Sequence, residues 1–268
     1  MIRNWQDARP LAVLVLLCSG CSDGAGPPAT VPTAPVQAPV AVAAPEVSSV
    51  DSDTTPPIAT PSPDVARFTE AREAFHTLTS PGIELAAWES AQQKLIALGK
   101  VAEPVLLEGL RSTNPMDREM AATVCALSGS PSAELQAALI TCLADEAPFA
   151  RASAAAALAS VPEHQAQAIG TLTDLLAHSD PQLRRMAAAN LSSFGDEASG
   201  QLPKLTAVLA DDDAEVVMPV IQLLGRMGPT AVDAVPELQR IAFEESGDVK
   251  QAAEQALLQI QATDKPAE

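Results

Sequence analysis

The 268-residue sequence has no tyrosine, and aromatic residues make up only 3 % of it. That leaves little to line an aromatic ligand pocket. Basic side chains are also scarce: 16 Lys and Arg stand against 34 Asp and Glu, a formal charge of -18. Such a chain repels phosphate backbones, so nucleic acid is not an expected partner. The acidic residues are dispersed, Asp211-Asp212-Asp213 being the densest run, as on a solvated surface. The three histidines, His76, His164 and His178, have no Cys, Asp or Glu at metal-ligand spacing. A Gly-rich phosphate loop, a Gly-x-Ser-x-Gly elbow and a Ser/His/Asp order are all missing. The expectation is a protein without catalytic residues, cofactor or metal. What the chain does have is Ala, Leu and Val, which carry most of its 47 % apolar content and suit thin, closely packed helices.

The first residues form a distinct unit. Arg3 and Arg9 precede the apolar run Leu11-Ala-Val-Leu-Val-Leu-Leu17, which is followed by Cys18-Ser-Gly-Cys21. A bilayer core of ~30 Å takes about 20 helical residues, so this run is too short to span and suits a secretory signal. The small residues leading into Cys21 resemble the lipobox of bacterial lipoproteins, with Cys18 where that pattern usually has Leu. The resemblance implies cleavage after Gly20 and a lipid on Cys21, hence a location in the cell envelope on the periplasmic or surface side of a membrane. Residues 22–63 hold ten prolines and no Lys, Arg or aromatic residue. Such a segment cannot bury a core and reads as an extended, disordered spacer. The expected organisation is a signal peptide at 1–20, a lipid-anchored linker at 21–63, a capping helix at 64–79, repeats at 80–262 and a disordered tail at 263–268.

Within the repeat region one 13-residue pattern recurs. Its A-helix core starts at Ala87, Asp117, Ala150, Leu183, Val216 and Val249, four of the five steps being 33 residues. Position five is Ala91, Ala121, Ala154, Ala187, Val220 and Ala253, and position nine is Leu95, Cys125, Leu158, Leu191, Leu224 and Leu257. These positions fall on one helical face, with small residues where a neighbouring backbone comes close. A second, B-helix pattern starts at Val101, Glu134, Gln167, Gly200 and Asp233. Its sixth position is always leucine: Leu106, Leu139, Leu172, Leu205 and Leu238. Pro104, Pro203 and Pro236 suit a first helical turn, where no N–H is needed. Gly99, Gly195 and Gly228 are placed to end A helices, Asp180 and Asp213 to cap them, and Asp64 to cap the first helix. Pro219, six residues into its helix, predicts a kink. A period of this size marks a solenoid, in which each unit needs its neighbours to bury its apolar face.

The stretch Asp180-Pro-Gln-Leu-Arg-Arg-Met-Ala-Ala-Ala-Asn-Leu-Ser-Ser-Phe-Gly195 resembles the HEAT repeat, in the short form of bacterial HEAT-like and bilin-lyase-type proteins. The resemblance implies an all-α solenoid of about five to six helical hairpins. It also implies that the position-two arginines, Arg118, Arg151 and Arg184, are structural, each paired with an acid near the preceding turn, as Asp180 is placed for Arg184. By the same arrangement the B helices line the concave face, exposing Val105, Glu108, Thr171, Asp174, Lys204, Ala207, Glu237 and Arg240. Small, mixed and charge-balanced, these suit a protein or peptide partner better than a cofactor. Cys125 and Cys142 occupy position nine of the A and B helices of one repeat, which leaves two readings, a disulfide or a pair of buried thiols. The function expected is a non-enzymatic, membrane-anchored scaffold. A lyase-type enzyme or accessory factor and a purely structural spacer are the alternatives.

Overall fold

The computed structural model describes residues 62–262. The signal segment, Cys21, the spacer up to residue 61 and the tail at 263–268 lie outside the described residues. Within them the chain is an all-α stack. An N-terminal helix α1 (Pro63–Thr79) precedes five A/B hairpins: α2 (Leu85–Leu98) with α3 (Glu103–Leu110), α4 (Pro115–Ser128) with α5 (Ala133–Cys142), α6 (Pro148–Leu158) with α7 (Gln165–Leu175), α8 (Pro181–Leu191) with α9 (Leu202–Val208), and α10 (Ala214–Met227) with α11 (Val235–Glu244). A last A helix, α12 (Gly247–Gln261), closes the series, and no strand occurs among the described residues.

Helix starts follow local chemistry. Asn114, Asp180 and Asp213 each accept the N–H two residues on, satisfying one of the donors a first turn leaves open. The first helix is capped by Ser62 instead of the expected Asp64, which lies inside the first turn behind Pro63. Gly99 and Gly228 take positive φ at the ends of α2 and α10, and so does Gly129 at the end of α4. Gly195 does not: α8 stops at Leu191, and a short 3-10 segment from Asp196 leads into α9. Helix α10 runs continuously through Pro219.

Successive A helices pack on one another, α4 on α6, α8 on α10 and α10 on α12, while each B helix also meets the next A helix. The small residues set the spacing. An added Cβ at Gly225 of α10 would lie 3.1 Å from the Cα of Ala256 in α12, so the glycine lets the two backbones approach a few tenths of an ångström closer than a side chain would. The sixth-position leucines of all five B helices are buried in one continuous core with the alanines of position five. Each such leucine stabilises by about 1.5–3 kcal/mol. The other end of the series is less covered. Among the described residues helix α12 has a neighbour on one side only and leaves Leu258 68 % exposed, and Phe243 in α11 is 88 % exposed.

Helix α1 lies on α2 and reaches α3 and α4. Its Ala71, Ala74 and Leu78 are buried, and Phe75 fits over Gly109 of α3, where an added Cβ would stand 2.5 Å from the ring and 2.9 Å from Ala121. Gly109→Val is therefore expected to lift α1 off the stack at a cost of about 1–3 kcal/mol. Hydrogen exchange at Ala71–Leu78 checks this. Protection as strong as in the parent protein would mean that Phe75 moves aside without loss.

Candidate binding surface

With the leucines turned inward, the opposite face of each B helix is left to solvent. Glu108, Asp174, Lys204, Ala207 and Arg240 are exposed, and Thr171 and Glu237 half-exposed. Val105 differs from expectation. It is 3 % exposed, because it lies one turn before Gly109 on the helix face that α1 and Phe75 cover.

The charged members of this surface bond mainly to one another. Lys204 Nζ of α9 donates to Asp174 of α7 at 2.7 Å, tying two adjacent hairpins. Arg72 of α1 reaches Glu108 of α3 at 3.3 Å. Arg240 pairs with Glu237 and Glu244 on its own helix, and its guanidinium holds the Glu237 carboxyl below the usual range. Such solvent-exposed pairs contribute little stability, about 0–1 kcal/mol each. They set opposite charges side by side at three places on the face.

A second periodic row runs along the turns between each B helix and the next A helix. Arg118 of α4 forms a fork to Asp145, Nε to one carboxylate oxygen and Nη2 to the other at 2.7 Å. Arg184 of α8 does the same to Asp211, with Nε at 2.8 Å. The acid therefore lies 27 residues after the arginine, in the following turn, and not in the preceding one. Asp180 is occupied as a helix cap, and the preceding turn supplies backbone carbonyls instead, His178 and Ser179 accepting from Arg184 Nη1. The Arg118 hydrogen bond holds the Asp145 carboxyl below its ordinary range and raises the arginine. Beside this row, Arg185 bonds Asp213 and Glu215.

Cys125 and Cys142 are free thiols. Of the two readings the structure has the buried thiols: the Cys142 thiol is directed at the Leu110 carbonyl, at 3.7 Å, on the neighbouring hairpin. Burial pushes the Cys125 thiol up to about 12 and raises Cys142 as well, so neither is a ready nucleophile at neutral pH. Denatured, unreduced protein is expected to show both as reactive with a thiol reagent, and a blocked pair would restore the bridge.

His76, His164 and His178 stay apart, and no group of His, Cys, Asp and Glu suited to a metal occurs among the described residues. No described helix is long and apolar enough to cross a membrane. One shallow apolar hollow lies on the A-helix side, over Thr123, Ser153, Ala156, Met186 and Asn190 of α4, α6 and α8, with the Thr123 and Ser153 hydroxyls 3.0 Å apart. The sequence signal for it was the alanine run of α6, too small to fill the space between its neighbours.

Comparison with known proteins bears on this architecture. A family model described as HEAT repeats matches residues 103–189 and 169–258. Three solved structures of engineered proteins share the fold. The first is 24 % identical, with a TM-score of 0.51, over 76 % of this chain and 93 % of that one. The second is 22 % identical at 0.51, over 72 % and 98 %. The third is 25 % identical at 0.51, over 75 % and 56 %. The search of curated proteins finds no match.

Proposed function

We propose, from the premise that this chain belongs to the HEAT-repeat family, that it is a non-enzymatic scaffold of the bacterial cell envelope, held to a membrane by a lipid on Cys21 and binding another protein along its B-helix face. The family's helical repeats make a scaffold usable for protein interaction, and function in such a solenoid lives on the long surface its repeats share. One observation carries the reading here. The exposed Lys204 of one hairpin is paired with Asp174 of the hairpin before it, so the face continues across these two repeats with opposite charges set side by side. A surface of that kind suits an extended protein partner better than a small molecule. The lipobox-like Cys18-Ser-Gly-Cys21 and the proline-rich spacer behind it support the anchor.

Mass spectrometry of the protein recovered from membranes tests the anchor, with Cys21→Ser as its partner variant. Acylated Cys21 is expected, and release of the variant into the soluble fraction. A soluble, unlipidated parent protein removes the anchor. Cross-linking in place tests the surface. Lys204→Glu with Arg240→Glu is expected to lose its cross-linked partners at least tenfold while melting as the parent does. An unchanged partner set removes the B-helix face as the binding surface.

A further inference from the structure

Arginine occupies the same position in three consecutive A helices, and the three side chains are held alike. Arg118 Nη1 donates to the carbonyls of Ser112 and Thr113, at 3.0 and 3.1 Å. Arg151 Nη1 donates to those of Asp145 and Glu146, at 2.7 and 3.3 Å. Arg184 Nη1 donates to those of His178 and Ser179, at 3.2 and 3.4 Å. Two backbone bonds thus aim the remaining edge of each guanidinium, Nε and Nη2, at the following turn. For Arg118 and Arg184 that turn brings a carboxylate, Asp145 or Asp211, which takes the edge as a fork. For Arg151 the equivalent position, 27 residues on, is His178.

His178 reproduces one half of what aspartate does there. Asp145 accepts the Ala147 N–H at 2.8 Å, Asp211 that of Asp213 at 2.9 Å, and His178 Nδ1 that of Asp180 at 3.0 Å. The turn therefore keeps its shape. The other half is lost, because an imidazole whose Nδ1 takes that N–H has no carboxylate oxygens to accept the guanidinium fork. The Asp145 carboxylate close to Arg151 is engaged by Arg118 and by the Ala147 N–H. Arg151 Nε and Nη2 are left without a hydrogen-bond partner among the described residues, on a half-buried side chain whose Nη1 is held by two backbone carbonyls.

We infer that this edge of Arg151 is a receptor for a carboxylate, and that the carboxylate is a glutamate or aspartate side chain of a docked protein. A guanidinium edge presents two parallel N–H donors that match a carboxylate, and one already oriented loses less freedom on binding than a free arginine. The identity of the carrier rests on the scaffold reading above; the receptor itself does not. It lies in the turn row, so it places part of the contact on the edge of the stack as well as on the B-helix face.

The test is NMR of the arginine Nε–Hε resonances, with Arg151→Lys to identify the Arg151 signal. Sodium acetate is titrated against sodium chloride at equal ionic strength. Arg151 is expected to shift saturably with acetate and not with chloride, while Arg118 and Arg184, already occupied, stay in place. His178→Asp fills the turn from within. It is expected to weaken the acetate response at least tenfold and to raise the thermal midpoint, a readout that needs no ligand. A blocked Ala-Glu-Ala peptide should saturate Arg151 at lower concentration than acetate, and Ala-Gln-Ala should leave it still. A missing shift, an equal shift with chloride, or an unaltered response in His178→Asp overturns the receptor. A glutamate peptide that binds no tighter than acetate overturns the carrier. The anchor and the B-helix surface fail or stand by their own measurements, so the two sets of results cannot be confused.

Discussion

Leu172→Ala is expected to lower stability by about 2–5 kcal/mol, the range for removing a fully buried leucine and leaving a cavity. Leu172 is 0 % exposed in α7, the middle B helix, which packs on α6 within its own hairpin and on α8 of the next. Its loss therefore weakens one hairpin and both of the interfaces that hold it. In a stack whose stability is roughly the sum of units and nearest-neighbour contacts, a fault in the middle also separates the two ends. Denaturant unfolding should then broaden or split into two steps, whereas Leu238→Ala, near the end, should shift a single transition. Equal curves for the two variants would argue against nearest-neighbour coupling of the repeats.

The second large effect is expected at the turn row. Asp145→Ala removes both acceptors of Arg118 Nε and Nη2 together with the cap of the Ala147 N–H. The two side chains are 18 % and 7 % exposed, so little water is available to replace the lost bonds. Breaking a buried pair costs about 3–5 kcal/mol, and this partly solvated one should fall near the lower end of that range. Asp145→Asn keeps an oxygen for Ala147 and should cost less. The pH dependence has a definite sign. Because the folded carboxyl sits below its unfolded value of about 3.9, the rung's contribution is complete above that pH and is lost as pH falls through the folded value. The stability gap between parent and Asp145→Asn should therefore be constant at neutral pH and shrink below about pH 4. A gap that stays constant on acidification would show that charge is not what Asp145 supplies.

The architecture was legible in the sequence because its signal is apolar and periodic. Leu106 through Leu238 recur every 33 residues, Ala91 through Ala253 do so after a first step of 30, and burial follows from the interval alone. Readings that depended on which of two neighbours a side chain meets were less secure. Asp180 and Asp211 both lie within reach of Arg184 along the chain. Only the packed structure shows Asp180 turned to cap its own helix and Asp211 brought across. Val105 carried the pattern of a surface residue, but α1 falls outside the repeat and nothing in the 33-residue register says that it lies over α3. Gly195 stood where Gly99 and Gly228 stand, yet α8 ends four residues before it. The sequence also concealed the row of turns. Asp145, His178 and Asp211 are evenly spaced, but their shared role becomes visible only through the three arginines that address them.

The bare end at α12 gives the molecule a direction. Interior hairpins are clamped from both sides, while α12 rests on α10, α11 and the Gly228–Ala234 segment between them, with nothing beyond it among the described residues and Leu258 open to water. Thermal opening should therefore travel like a zip from the C-terminus toward the middle, the opposite end being weighted by α1 with Phe75 locked over Gly109. Amide protection would then fall in rank order from α6 toward α12. A protease would shorten the chain one hairpin at a time from that side, each cut leaving a smaller but still folded remainder.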